Sequence, residues 1–450
     1  MNDGAERGGA ERGGEAAAAW RAPAAAGPVQ ALVRLPGSKS MTNRALVLAA
    51  LATGPTTIRN PLSARDTELM VAALRALGAA IGTDQGDWLV TPGRRTGRAV
   101  VDVGNAGTVL RFVPPVAALT VADVDFRGDP RASERPVRPL LAGLRELGAT
   151  IDDGNRGALP FLVRGRGAIR GGTVTLDASA SSQLVSGLLL AAPCYDKGAE
   201  LRHEGARMPS APHLAMTVQM LRDAGAEVET GSRLTGGGES VPDIWRVHPG
   251  ELAPGTVTVE PDLSNAGPFL AAALVTGGTV TVAGWPRRTS QPAAQILDVL
   301  ARMGAACTRT AEGMAVTGSG EIRGVTADLR DVSELTPVLT ALAALASGPS
   351  VFTGIGHQRA QECDRLAALA REISALGGDV TELPDGLQVR PRPLRTGHRP
   401  FASYDDHRLV MAAAVLGLAV PGLRVQDAGT VRKTFPGFTG SWAAMLERAP

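Results

Sequence analysis

Six short polar clusters in this chain each open a stretch rich in Ala and Leu. The first is Pro36-Gly37-Ser38-Lys39-Ser40, with Arg44 four residues further on. The second is Gly104-Asn105-Ala106-Gly107-Thr108, with Arg111 four residues after Gly107. The others are Ser181-Ser182-Gln183, Ser264-Asn265-Ala266-Gly267, Ser333-Glu334-Leu335-Thr336 and Tyr404-Asp405-Asp406-His407-Arg408. The first N–H groups of a helix are unpaired and carry positive partial charge. Ser, Asn and Asp cap them, and a helix start with a cation beside it holds phosphate or carboxylate. Lys39 offers a compact point charge and Arg44 a bidentate fork. Further cations stand nearby in sequence: Arg131 and Arg135 in a turn-rich loop, Arg365, Arg408 and Lys433. The acids among them are few: Glu334, Glu362, Asp364 and Asp406. Many cations with few acids suit two anionic substrates and one or two proton-transfer groups. The plain alternative is a set of ordinary caps with solvated cations, Arg135 paired with Glu134 and Arg365 with Asp364 on a surface.

Lysine use is selective. Of 46 basic residues only Lys39, Lys197 and Lys433 are Lys, so two of the three lie in Ser38-Lys39-Ser40 and Lys433-Thr434-Phe435-Pro436. Where Arg is the default, Lys marks places that use a flexible ammonium of tunable pKa.

The elements that must position these groups follow a repeat. A helical apolar pattern ending in Gly and then a strand recurs at 69–81, 139–151, 215–228, 295–307 and 367–380. The closing glycines are 78, 148, 225, 304 and 377, spaced 70, 77, 79 and 73 residues apart. Such regularity indicates an internal repeat, each Gly taking the left-handed position after its helix. Between these phrases the polar clusters open helices that are apolar all round and so belong in a core. Six similar α/β units result, three on each side of a boundary near 255–262, and a cleft between two domains is where a ligand belongs. Residues 1–27, low-complexity Ala, Gly, Glu and Arg, read as a disordered tail without the pattern of a signal peptide.

Composition narrows the class. The chain has 450 residues, 44% apolar and 20% charged, with a net charge of +2. Two Tyr, five Trp and eight Phe, with no basic block, argue against nucleic acid. No apolar run has membrane-spanning length. Cys194, Cys307 and Cys363 are far apart and the six His include no i,i+4 pair, so a metal is not expected and a reducing cytoplasm is. No Walker A loop, dinucleotide turn or nucleophile elbow is present, so no cofactor is expected.

Pro36-Gly37-Ser38-Lys39-Ser40 with Asn43-Arg44, Gly104-Asn105-Ala106-Gly107-Thr108 with Arg111, Ser181-Ser182-Gln183, Asp364-Arg365-Leu366, Asp406-His407-Arg408 and Lys433-Thr434-Phe435-Pro436 occur in this order. Together, over about residues 30 to 440, they resemble the 5-enolpyruvylshikimate-3-phosphate synthase family of enolpyruvyl transferases. The resemblance implies an inside-out α/β barrel fold. It has two domains of three βαβαββ repeats each, hinged around a cleft by two crossings. Residues 28–36 plus 260–450 form one domain and 37–259 the inserted one. It implies transfer of the enolpyruvyl group of phosphoenolpyruvate to the 5-hydroxyl of shikimate 3-phosphate, in a cytoplasmic monomer that uses no metal. It also implies inhibition by glyphosate, which competes with phosphoenolpyruvate.

Roles carry over by motif. Lys39, Arg131, Arg365, Arg408 and Lys433 would hold phosphoenolpyruvate, with Gly107 and the backbone from Asn105 letting it approach closely. Ser40, Arg44, Ser181, Ser182, Gln183 and Ser210 would hold shikimate 3-phosphate, with His357 and Gln361 also against substrate. Glu334 stands at the family's proton acceptor, and Glu362 at its proton donor, assisted by Lys39. The chain departs from the family at Gln361 (usually Lys or His), His213 (often Tyr) and Phe112 (often Pro). A paralogue acting on a related acceptor, or one that only binds anions, stays open. The sister family that acts on UDP-N-acetylglucosamine carries a catalytic Cys in the loop matching Asp129–Pro136, where this chain has none.

Overall fold

A computed structural model of the chain describes residues 19–83, 86–234 and 240–447. Its repeated unit is clearest at Thr96–Asp102, Val121–Arg127, Phe161–Arg164 and Thr150–Asp152, which form one sheet in that spatial order. The first two strands are parallel and the rest antiparallel. A parallel pair needs a crossover, which the helix Gly107–Ala118 supplies. The helix Arg138–Glu146 then leads into the outer hairpin, completing βαβαββ. Four other four-stranded sheets share this order, among the described residues. Glycines 78, 148, 225, 304 and 377 all have φ between +93° and +109°.

Two of the sheets take their first strand from a distant part of the chain. Gln30–Val33 lies parallel to Thr279–Ala283, and Thr256–Thr258 lies parallel to Thr56–Arg59. The chain therefore crosses between two cores twice. One core holds apolar residues from Met41 to Val259; the other holds those from Ala22 to Leu35 and from Leu263 to Met445. The crossings run side by side: Ser38 N–H donates to Glu260 O at 2.8 Å and Asp262 N–H to Pro36 O at 2.9 Å. Gly37 is required here, because a Cβ would lie 2.1 Å from Asn60 O.

The helices Lys39–Leu51, Gly107–Ala118, Gln183–Ala191, Leu263–Thr276, Thr336–Ala344 and His407–Ala419 are buried along nearly all their length. Sheets lie outside them, with alternating faces such as that of Val121–Arg127 turned to solvent. Helices inside and sheets outside make each half an inside-out α/β barrel. The sixth unit is abbreviated: among the described residues, Arg424–Val425 pairs only with Trp20–Arg21 and a bridge from Phe401.

That pairing corrects the expected tail. Residues 1–18 lie outside the described residues, but from Trp20 the segment is ordered against the sixth unit. Ala22 N–H donates to Leu423 O at 2.9 Å and Ala25 N–H to Leu418 O at 3.2 Å. Backbone pairing to a short sheet needs no particular side chains, so composition concealed it. No helix among the described residues is long and apolar enough to cross a membrane.

Candidate active site

The starts of all six buried helices meet in one cleft. One half brings Lys39 and Ser40, Gly107 and Thr108, and Ser181 to Gln183; the other brings Asp262 and Ser264, Ser333 and Glu334, and His407 and Arg408. Ser210, His213, His357, Gln361, Glu362 and Arg365 complete the wall with Asp66 and Arg135. Of the residues expected at substrate, Lys39, Ser40, Gly107, Ser181, Ser182, Gln183, Ser210, Glu334, His357, Gln361, Glu362, Arg365 and Arg408 are thus together.

Local chemistry explains how the helices end here. Ser38 Oγ accepts Met41 N–H at 3.5 Å, a long cap. Asp406 accepts Arg408 N–H at 2.9 Å. The fourth helix starts earlier than Ser264, because Asp262 Oδ1 accepts the N–H groups of Ser264 at 3.0 Å and Asn265 at 3.2 Å. Its other oxygen accepts Lys39 N–H at 3.0 Å, across 223 residues of chain. One buried carboxylate thus caps two helices, one from each half, beside the crossings.

The cations divide into partnered and outward-facing sets. Lys39 Nζ is 3.2 Å from Asp66 Oδ2. Arg365 is occupied by Asp406 at 2.7 Å, Glu362 at 2.8 Å and Gln358 Oε1 at 2.6 Å, and does not pair with Asp364. Asp364 instead caps the helix Arg365–Ala375 and pairs with Arg359. Among the described residues, Arg408 donates only to Ser264 Oγ, at 3.2 Å, and to no carboxylate. Lys433 stands just behind the wall, 3.0 Å from Glu362 Oε1 and 3.3 Å from Asn105 O.

Besides Lys433, three expected residues lie off the cleft wall. Arg44 is buried behind the cleft floor, where it donates to Thr217 Oγ1 at 2.8 Å, Ser40 O at 3.0 Å and His213 O at 3.2 Å. Its guanidinium stacks over Phe112 at 5.2 Å, and burial lowers its pKa to about 9. It orients Ser40 and His213 instead of facing the cavity. Asn105 is also behind the wall, its carbonyl and Oδ1 accepting from Arg135 at 2.9 and 3.3 Å. Arg131 turns away to the carbonyls of Arg359 and Gln361 and pairs with Glu134.

Arg135 takes the position expected of Arg131. It is 4% exposed, so the expected surface pair with Glu134 does not form. It donates to Asn105 O and to Gln361 Oε1 at 3.4 Å, while its buried Nε has no partner among the described residues. A Cβ on Gly107 would lie 2.6 Å from its Nη2 and 2.8 Å from Arg111 Nη1. Glycine therefore lets two guanidinium groups close over this helix start.

The two acids differ in environment. Burial raises the carboxyl of Glu334 above its ordinary value, opposed by Arg408. Burial acts likewise on Glu362, but Lys433, Arg365, Arg135 and Lys39 outweigh it and hold that carboxyl well below the ordinary range. His213 and His357 are driven neutral by burial, to about 3 and about 4. Two carboxyls pushed apart in pKa, amid cations and helix starts, form a site for acid–base chemistry on anions.

The model of the family "EPSP synthase (3-phosphoshikimate 1-carboxyvinyltransferase)" matches residues 23–442. The chain belongs to the EPSP synthase family. A protein of Kocuria rhizophila named 3-phosphoshikimate 1-carboxyvinyltransferase is 50% identical over 439 residues, covering 95% of this chain and 96% of that one. An EPSP synthase structure from Acinetobacter baumannii shares the fold with a TM-score of 0.76 at 24% identity, over 94% of this chain and 97% of that one. The enolpyruvyl transferase NikO of Streptomyces tendae is similar in fold, with a TM-score of 0.71 at 20% identity, over 94% of this chain and 96% of that one.

Proposed function

We infer that this EPSP synthase family member transfers the enolpyruvyl group of phosphoenolpyruvate to the 5-hydroxyl of shikimate 3-phosphate and releases phosphate. The observation that carries this reading is the convergence of six helix starts and their cations, from both cores, on one cleft. Ser181, Ser182 and Ser210 offer hydroxyls to the shikimate phosphate, and Gln183, Ser40, His357 and Gln361 offer polar groups to the ring. Lys39, Arg135 and Arg408 hold the carboxylate and phosphate of phosphoenolpyruvate, Lys433 reaches them from just behind the wall, and Gly107 gives the ligand room. Arg44, Asn105 and Arg365 support these groups through the contacts described above.

The reaction needs a base at the hydroxyl and an acid at carbon. Glu334 takes the hydroxyl proton as oxygen bonds to the central carbon of phosphoenolpyruvate. Glu362, with Lys39 beside it, gives a proton to the methylene carbon, which becomes a methyl. The surrounding cations stabilise the tetrahedral adduct. Its bond to the phosphate oxygen then breaks, the methyl returns a proton, and the double bond re-forms. We place the reaction in the cytoplasm, in a monomer divided as 28–36 plus 260–450 and 37–259. Proton and phosphorus NMR of the mixed reactants tests the reading. A 1-carboxyvinyl ether of shikimate 3-phosphate must grow as phosphoenolpyruvate disappears; pyruvate as sole product would refute it.

A further inference from the structure

Arg131 joins the two halves at the rim of the cleft. Its Nε donates to Gln361 O at 3.3 Å, and its Nη2 to Gln361 O and Arg359 O, each at 3.2 Å. These acceptors are 228 to 230 residues away and belong to the other core's half. Glu134 pairs with the remaining Nη1 and fixes the fork on its own helix, Pro130–Glu134. The carbonyls end the short turn Gly356–Ala360, where helical carbonyls lack internal partners.

Both tied segments continue directly into the cleft. On one side Arg131 leads to Arg135, and on the other the turn leads to Gln361 and Glu362. Just inside the fork, Arg135 Nη2 meets Gln361 Oε1 at 3.4 Å. Arg131 spreads three donor contacts of 3.2 to 3.3 Å over two carbonyls, which hold the spacing more firmly than that one longer contact. Elsewhere across the cleft, Ser210 N–H reaches Arg330 O at 3.0 Å and its Oγ meets Ser333 Oγ at 3.3 Å, Arg207 lies 3.8 Å from Asp331, and Lys433 reaches Asn105 O at 3.3 Å.

We propose that Arg131 is a positioning residue: its guanidinium clasps the Arg359 and Gln361 carbonyls and sets the distance across the cleft between Arg135 and the Gln361–Glu362 segment. It contacts no substrate. Without the clasp, fewer molecules hold the spacing that both ligands need, and apparent affinity falls by that fraction. The inference rests on the enolpyruvyl-transfer reading of the cleft.

The test compares wild type, Arg131→Ala and Arg131→Lys by steady-state kinetics and by X-ray scattering of the protein without added ligand. The clasp predicts that Arg131→Ala raises KM for both substrates about 10-fold, lowers kcat far less, and enlarges the radius of gyration. Arg131→Lys, which keeps a charged donor and folds if the larger change does not, falls between. A rise in KM for phosphoenolpyruvate alone, with unchanged dimensions, would mean direct ligand contact and overturn the proposal. Unchanged KM values for both substrates would overturn it too. Absence of wild-type turnover would strike the functional reading, and the scattering comparison would still judge the clasp.

Discussion

Lys433 Nζ lies 3.0 Å from Glu362 Oε1, with the two side chains only 5% and 8% exposed. This pairing, with Arg365 on the other oxygen at 2.8 Å, overcomes the effect of burial and keeps Glu362 ionised. An acid for the methylene carbon must instead carry a proton. Phosphoenolpyruvate brings two anionic groups against the same cations, and each cation drawn to the ligand raises the proton affinity of Glu362. Binding of phosphoenolpyruvate should therefore take up as much as about one proton. Calorimetry in two buffers of different ionisation enthalpy measures it. The uptake should vanish in Glu362→Gln; equal heats in both buffers for the wild type would contradict the coupling.

The same pair sets a stability effect with a definite sign. The depressed carboxyl of Glu362 stabilises the fold above its ordinary value of 4.5, and that contribution is lost as pH falls through the lower folded value. Lys433→Met leaves part of a buried charge uncompensated and should cost about 3 kcal/mol at neutral pH. Urea unfolding should show the deficit shrinking below the ordinary carboxyl value.

Glu334→Gln should lower kcat by roughly 10²- to 10⁴-fold, the usual worth of a positioned base. Shikimate 3-phosphate binding should persist within about threefold by calorimetry, since the amide keeps the shape and one acceptor. Glu334 is raised by burial, so the wild-type rate should climb with pH above the ordinary 4.5 as the carboxyl ionises. That acid limb should be missing from the variant.

Gly107→Ala puts a methyl 2.6 Å from Arg135 Nη2, which has to move. We expect KM for phosphoenolpyruvate to rise about 10-fold, the worth of one charged hydrogen bond, with KM for shikimate 3-phosphate little changed. Initial rates with each substrate varied in turn decide it. Equal increases for both would mean a general disturbance of the cleft.

Much of the architecture was legible because it repeats. The helix–Gly phrase has a local cause, the positive φ after each helix, and the polar clusters have another, the capping of buried helix starts. What stayed hidden depends on tertiary packing. Arg131 and Arg135 stand four apart in one turn-rich loop, and only the packing of Pro130–Glu134 against Gln361 decides which faces the cleft. Arg44 sits four residues after Ser40 and seemed aimed at the same anion, yet Thr217 and Phe112 draw it behind the floor. Asp262 carried no signal of its second partner, because Lys39 N–H reaches it only once both crossings lie together. Asp66, the partner of Lys39, was overlooked for the same reason.

Initial-rate release of inorganic phosphate, with each substrate omitted in turn, tests most directly whether both halves serve one reaction. Phosphate should form only when phosphoenolpyruvate and shikimate 3-phosphate are both present, and Lys39→Met or Arg408→Met, one from each half, should each suppress it. Release that needs only one of the two compounds, or that survives either substitution at near the wild-type rate, would contradict a cleft in which cations from both cores hold two anions together.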